Sequence, residues 1–247
     1  MSVPDSSSTP LRTRSAVRRR PVVLVHGIWN TAQIFAPLKT YLEIAEEIAE
    51  EMAQETTEKA VEETGRSVYT FSMTPNNGDA PIEALAQQVA QFVDTSLGPQ
   101  QPFDLVGFSM GGLVSRYYLQ RLGGLARVKT FVAVSVPHYG TALAFGSDRT
   151  GVRQMRPFSP FLSALNQDIH RLSAIQVWSF WTIFDLLILP PWSSKLNIGT
   201  TRRLNIVSHN RMIRDSQGLA AIASALSDRP PENTASLQTP HWDKRNT

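Results

Sequence analysis

The chain has 247 residues, 42% of them hydrophobic, a formal net charge of +3 and no cysteine. That is enough apolar content for the core of one domain, and it excludes a disulfide framework and any thiolate metal site. The near-balanced charge gives no footprint for nucleic acid beyond a short arginine-rich start, so no nucleic-acid partner is expected.

The first twenty residues hold five arginines and one aspartate in a Ser/Pro-rich background, the composition of a disordered basic tail. Arg18-Arg19-Arg20 followed by Val22-Val23-Leu24-Val25 imitates the start of a signal peptide. However, the apolar run ends at His26-Gly27, short of the roughly 7–15 residues of a signal core. No segment reaches the ~20 apolar residues of a membrane span. A cytoplasmic protein is therefore expected, with its domain over 21–227 and a flexible tail over 228–247.

Val22 to Val25 reads as a buried strand leading into the loop His26-Gly27-Ile28-Trp29. A helix is predicted from Thr31, as N-cap, to Tyr41. Between 42 and 64 the chain becomes acidic and helix-prone, with nine glutamates and one lysine over 41–64. Ile44, Ile48 and Met52 recur at four-residue spacing. This stretch reads as a solvated amphipathic extension or insertion. Ser67 to Phe71 is a second strand, and from Pro81 the residues Ile82, Leu85, Val89 and Phe92/Val93 share one helical face. Phe103 to Val106 is a third strand, followed by a helix over Gly112 to Leu122. Val128 to Val136 is almost wholly apolar, as in a central parallel strand covered on both faces. The segment 142–174 shows no strand pattern and is where a cap or lid would lie. Gln176 to Thr182 and Arg203 to Val207 are the last strands, and Asp215 to Leu226 is the closing helix. Alternating strands and helices predict an α/β fold with a mostly parallel doubly wound sheet.

The chemistry is concentrated at Gly107-Phe108-Ser109-Met110-Gly111, between a strand and a helix. This is the G-x-S-x-G pattern in the strand–turn–helix setting it requires. The turn lifts the Ser109 hydroxyl away from the backbone, and the following helix points its N–H groups at the same place. A serine nucleophile needs an imidazole base, and the imidazole needs a carboxylate. On this fold the order is serine, acid, histidine, the last two on loops after late strands. Of five histidines, His26 precedes the serine and is read as bonding nearby backbone. His138 shapes the pocket floor, His170 lies in the cap and His241 in the tail. His209 alone follows the last predicted strand. Asp185 follows the strand Gln176–Thr182. Its rivals are Asp168, which comes too early, and Asp215, which suits a helix N-cap. Two N–H donors must face the developing oxyanion, and Ile28 and Met110 are the candidates.

Together His26-Gly27-Ile28-Trp29, Gly107 to Gly112, Pro137-His138-Tyr139-Gly140-Thr141, Asp185 and His209 resemble bacterial triacylglycerol lipases and related esterases of the α/β-hydrolase superfamily. The resemblance implies Ser109 as nucleophile, Asp185 as acid, His209 as base, and Ile28 and Met110 as oxyanion donors. The expected activity is hydrolysis of an acyl ester or lipid through an acyl-enzyme, with no cofactor or metal and no obligate protein partner. Contact with a lipid interface would be transient. Phe145, Phe158, Phe161, Leu162 and Leu165 are expected to favour an acyl chain. An acyltransferase with the same residues, or a non-catalytic binding protein on the same fold, are the alternatives.

Overall fold

A computed structural model describes residues 19–44 and 66–227. The expected acidic stretch 42–64, apart from its first residues, the expected tail 228–247 and the basic tail up to residue 18 lie outside them; Arg20 is described and pairs with Asp104 at 3.1 Å.

Six strands form one parallel sheet: β1 (Val22–Val25), β2 (Val68–Thr70), β3 (Phe103–Phe108), β4 (Val128–Val134), β5 (Gln176–Trp181) and β6 (Thr200–Arg203). Their spatial order is β2-β1-β3-β4-β5-β6. The chain steps outward from β1 to β2 and then returns across β1 to β3. Strand order therefore reverses between β1 and β3. Such a switch point opens a crevice at the carboxyl ends of the strands, where ligands bind in open α/β sheets.

Helices cover both faces. On one face α2 (Ile82–Leu97) and α3 (Met110–Arg121) bury Leu85, Val89, Leu113 and Val114 against Val23, Leu105 and Phe131. On the other, α1 (36–44, entered through a 3-10 turn at Ala32–Phe35) and α6 (Ser216–Ala225) bury Phe35, Leu38 and Ile222 against Leu24, Val106 and Val132. Each central strand thus meets an apolar layer on both sides, which is why β1, β3 and β4 read as continuous hydrophobic runs instead of alternating ones. Thr31 stands at the N-cap position as expected, but its hydroxyl makes no capping bond. Asp215 does cap α6, accepting from Gln217 N at 3.1 Å.

The last strand differs from its expected position. Pairing with β5 occurs over Thr200–Arg203, and Leu204 to Val207 lies beyond it. The apolar signal of Leu204 and Ile206 came from burial against α6, not from strand pairing, and the strand itself is a polar, exposed edge. The segment 142–174 is built from short helices, including α4 (Thr150–Gln154) and α5 (Pro160–Gln167).

Arg116 fastens α5 to α3. Its side chain is fully buried, and it donates to Gln120 Oε1, Asn166 Oδ1, the Leu165 carbonyl and His138 Nδ1. Every acceptor is neutral. Burial pulls Arg116 down to about 10, so it remains a cation near neutral pH. Arg116→Ala would strand several buried acceptors, each costing about 1–3 kcal/mol. The expected result is a loss of roughly 3 kcal/mol or more in urea unfolding, larger than for the exposed Arg153→Ala.

Candidate active site

At the end of β3 the chain turns through Ser109 with φ +55° and ψ −130°, a conformation that residues with a Cβ rarely adopt. The turn is held by Ser109 N donating to Val134 O at 3.0 Å and Gly112 N donating to Ser109 O at 3.0 Å. The flanking glycines permit it sterically. A Cβ on Gly107 would come within 2.6 Å of Gly112 Cα. On Gly111 it would run into the carbonyls of Val25 and His26, and on Gly112 into the Val136 side chain. The sequence pattern therefore records backbone-to-backbone packing between β3, α3 and the exit of β1.

That packing sets the neighbouring loop beside the serine. A Cβ on Gly27 would stand 2.8 Å from Ser109 Cβ. Trp29 N is already given to Asn76 O at 2.6 Å, whereas among the described residues Ile28 N is given to no backbone carbonyl. Met110 is the first residue of α3, where an N–H has no intrahelical acceptor. His26 has the supporting role expected of it. Its ring is buried, with Nδ1 2.8 Å from Gly27 O, while Nε2 accepts from Met73 N at 2.9 Å. Burial lowers its pKa, in keeping with a neutral ring tying two loops together.

Asp185 and His209 meet across the ends of β5 and β6. His209 Nδ1 lies 2.7 Å from Asp185 Oδ2, and both side chains are buried. A carboxylate only accepts, so Nδ1 carries the proton and Nε2 of the neutral ring is left as an acceptor. The other carboxylate oxygen takes the backbone N–H groups of Leu187 and Ile188 at 2.9 and 3.0 Å. These bonds fix Asp185 without a cation and leave Oδ2 for the imidazole. The Phe108 ring packs against His209 with centroids 4.8 Å apart.

Ser109 and His209 line one cavity of about 280 Å³ at the sheet's switch point. The remaining wall is mainly apolar and includes Ile28, Leu143, Val152, Met155 and Ile188. A larger cavity of about 480 Å³ at the opposite edge of the sheet, near Arg20 and Lys129, is remote from this cluster. Of the five expected site residues, Ser109, His209 and Ile28 line this cavity, with Asp185 bonded to His209 and Met110 next to Ser109 in the chain. The expected apolar residues of the cap do not: Leu162 and Leu165 are spent in the core, Phe161 packs beside Tyr117, and Phe145 and Phe158 are exposed. Leu143, Val152 and Met155 supply the apolar wall instead, and no periodic pattern in the sequence marks them out. His138 lies behind the wall, fully buried against Arg116, which together with burial holds its pKa far down. Asp168 pairs with Arg121 and Arg171 on the outer side of α3, and His170 is exposed. His241 lies outside the described residues.

A serine on a strained turn and a carboxylate-oriented imidazole that line one apolar cavity are groups that can transfer an acyl group. Residues 21–179 match the family model described as palmitoyl protein thioesterase. The chain belongs to that family. The match includes Ser109 and the Ile28 loop and ends before Asp185 and His209. Palmitoyl-protein thioesterase 3 of Dictyostelium discoideum is 25% identical over 126 residues, 49% of this chain and 37% of that protein. The chain thus matches little over a third of that curated relative's length. The fold is similar to mature Bacillus licheniformis lipase BlEst2, with a TM-score of 0.64 at 13% identity over 89% of this chain and 96% of that one. It is also similar to Aspergillus fumigatus lipase B, with a TM-score of 0.64 at 16% identity over 84% of this chain and 52% of that one. The α/β-hydrolase fold read from the sequence stands, and the chain is hydrolase-like. Among the described residues no helix is long and apolar enough to cross a membrane.

The contact between Gly27 and Ser109 has a direct test. Gly27→Ala must push the elbow and the Ile28 loop apart, and misplacement on the order of 1 Å costs about 10²-fold in rate. Ester turnover is expected to fall by roughly that factor while far-UV circular dichroism is unchanged.

Proposed function

We propose that this protein is a serine hydrolase that cleaves fatty acyl thioesters and esters through an acyl-enzyme. One observation carries the reading: the imidazole of His209, oriented by Asp185 at 2.7 Å, opens on the same cavity as the Ser109 hydroxyl. In the proposed first step Ser109 Oγ attacks the acyl carbonyl as its proton passes to His209 Nε2. The carbonyl electrons collect on the oxygen, which takes hydrogen bonds from Ile28 and Met110 N–H. Collapse breaks the bond to the leaving sulfur or oxygen, which receives the proton from His209. Water then attacks the acyl-serine by the same route and releases the fatty acid. Asp185 keeps its charge throughout and stabilises the imidazolium across the short bond.

Family membership favours a thioester, and the chemistry permits it. A thiol leaves with a pKa near 8.5, so the leaving group demands less proton donation from His209 than an alcohol does. Oxygen esters, triacylglycerols among them, are the more demanding substrates of the same machinery.

The apolar wall sets the acyl group. A cavity of about 280 Å³ holds about nine groups the size of a water molecule, at ~30 Å³ each. A chain of roughly eight to ten carbons would fill it, and the rest of a palmitoyl chain would lie outside.

A fluorophosphonate probe is expected to label the wild-type protein and to leave Ser109→Ala unlabelled. Absence of wild-type labelling would count against a serine enzyme. His209→Ala should lower kcat/KM by about 10³-fold or more without loss of fold, because the three side chains act as a unit. In a series of acyl thioesters, kcat/KM is expected to climb by up to about fourfold per methylene, matching ~0.8 kcal/mol each. The climb should level off once the cavity is full, at about eight to ten carbons. An unbroken climb to palmitoyl would show that the rim binds as strongly as the cavity.

A further inference from the structure

The loops around the cavity mouth expose far more apolar surface than an ester inside it touches. Trp29 after β1, Phe145 after β4, Leu186 after β5 and Val207 after β6 are between 62% and 76% exposed, and Phe158, just before α5, is 94% exposed. All stand on loops at the carboxyl edge of the sheet. Phe158 is the most unusual of them, because it holds φ +63° with its ring almost wholly outside the protein. A bulky residue rarely adopts that backbone, and here the surroundings enforce it. Ser159 N donates to Arg156 O at 3.1 Å, and the Ser159 hydroxyl caps α5 at Leu162 N. Arg156 lies 5.4 Å over the Phe145 ring and donates to Ala144 O and Ser147 O. Phe145 and Phe158 are thus two apolar prongs on one braced loop.

The charge around the prongs is mainly positive, although Glu83 at the start of α2 accepts from the neutral Gln154 Nε2 at 2.6 Å. On these loops Asp79, Asp148 and Asp215 are paired with Arg149, Arg156 and Arg211. Arg153, Lys195 and Arg214 are exposed and have no carboxylate partner among the described residues. Lys195 lies 4.6 Å over the Trp181 ring instead. A face with separate aromatic and leucine prongs among uncompensated cations fits the boundary of an anionic lipid layer, where rings and apolar tips enter below the headgroups. It does not suit a second copy of the same face, which would set those cations against one another.

We infer that the carboxyl-edge face docks on anionic lipid surfaces, with Phe158, Phe145 and Leu186 inserted and Arg153, Lys195 and Arg214 on the headgroups. The protein then lies on the surface without crossing it, and the mouth of the Ser109 cavity faces the acyl layer. Docking itself does not depend on the proposed chemistry, although the value of that orientation to catalysis does.

The full chain should sediment with phosphatidylcholine vesicles containing phosphatidylglycerol, and much less with phosphatidylcholine alone. Binding should weaken as salt is raised. The exposed Trp29 and Trp192 should blue-shift in emission on binding. Phe158→Gly suits the positive φ, so its fold is secure, and Leu186→Ser removes a side chain that does not line the cavity. Each is expected to lower partitioning roughly 10-fold or more, while leaving turnover of a soluble short-chain p-nitrophenyl ester unchanged. Arg153→Glu with Arg214→Glu should abolish the preference for phosphatidylglycerol. No binding of the wild type to anionic vesicles, or equal binding by all variants, would overturn the inference. So would a concentration-dependent dimer that Phe158→Gly dissociates, since a second copy would then cover the face. Loss of ester turnover with vesicle binding intact would sink the catalytic reading alone.

Discussion

The close approach of two backbones, the exit of β1 and the elbow after β3, governs the rest of the site. Gly27 against Ser109, Gly111 against the Val25 and His26 carbonyls, and Gly107 against Gly112 leave no room for side chains at these contacts. The contact exists because β1 and β3 are adjacent parallel strands with connections leading in opposite directions across the sheet. Topology opens the crevice, and glycine allows the crevice to be narrow. The Ser109 elbow and the Ile28 loop therefore stand side by side at the cavity.

Around this contact the polar groups are oriented mainly by neutral partners. Asp185 is fixed by two backbone N–H groups, His26 by two backbone groups, and Arg116 by carbonyls and amides. Fixing groups this way leaves the carboxylate's negative charge to the imidazole, because among the described residues no arginine or lysine pairs with it. It also makes the scaffold insensitive to salt at the depth where charge develops, since buried hydrogen bonds are screened little.

The outside of the same edge follows a different rule. Its loops carry large apolar side chains mostly in water and one phenylalanine in a strained backbone, both unfavourable to the isolated protein. Such costs persist where a surface has a use outside the monomer. The cavity is apolar, its mouth is apolar and the surrounding excess charge is positive. All three properties bear on the lipid docking inferred above.

Much of this was legible in the residues. The strand–turn–helix setting of Ser109, the hydrophobic runs of β1, β3 and β4 and the amphipathic face of α2 are local patterns, and local patterns are set by chain geometry that a sequence displays directly. Chain order pointed to Asp185 and His209, which the structure pairs at 2.7 Å, because late loops of a parallel sheet all return to one edge. The limits of β6 were not legible, since burial of Leu204 and Ile206 against α6 mimics strand periodicity while the true edge strand is polar. Nor was the cavity wall. Leu143, Val152 and Met155 share no period and come together only because the 142–155 segment folds back over the switch point, whereas Leu162 and Leu165 turn inward to the core under the Arg116 clamp. The sequence by itself determined which groups could do chemistry and which strands would carry them. Tertiary structure alone decided which apolar side chains enclose the cavity and which face outward, because that choice depends on packing between segments distant in the chain.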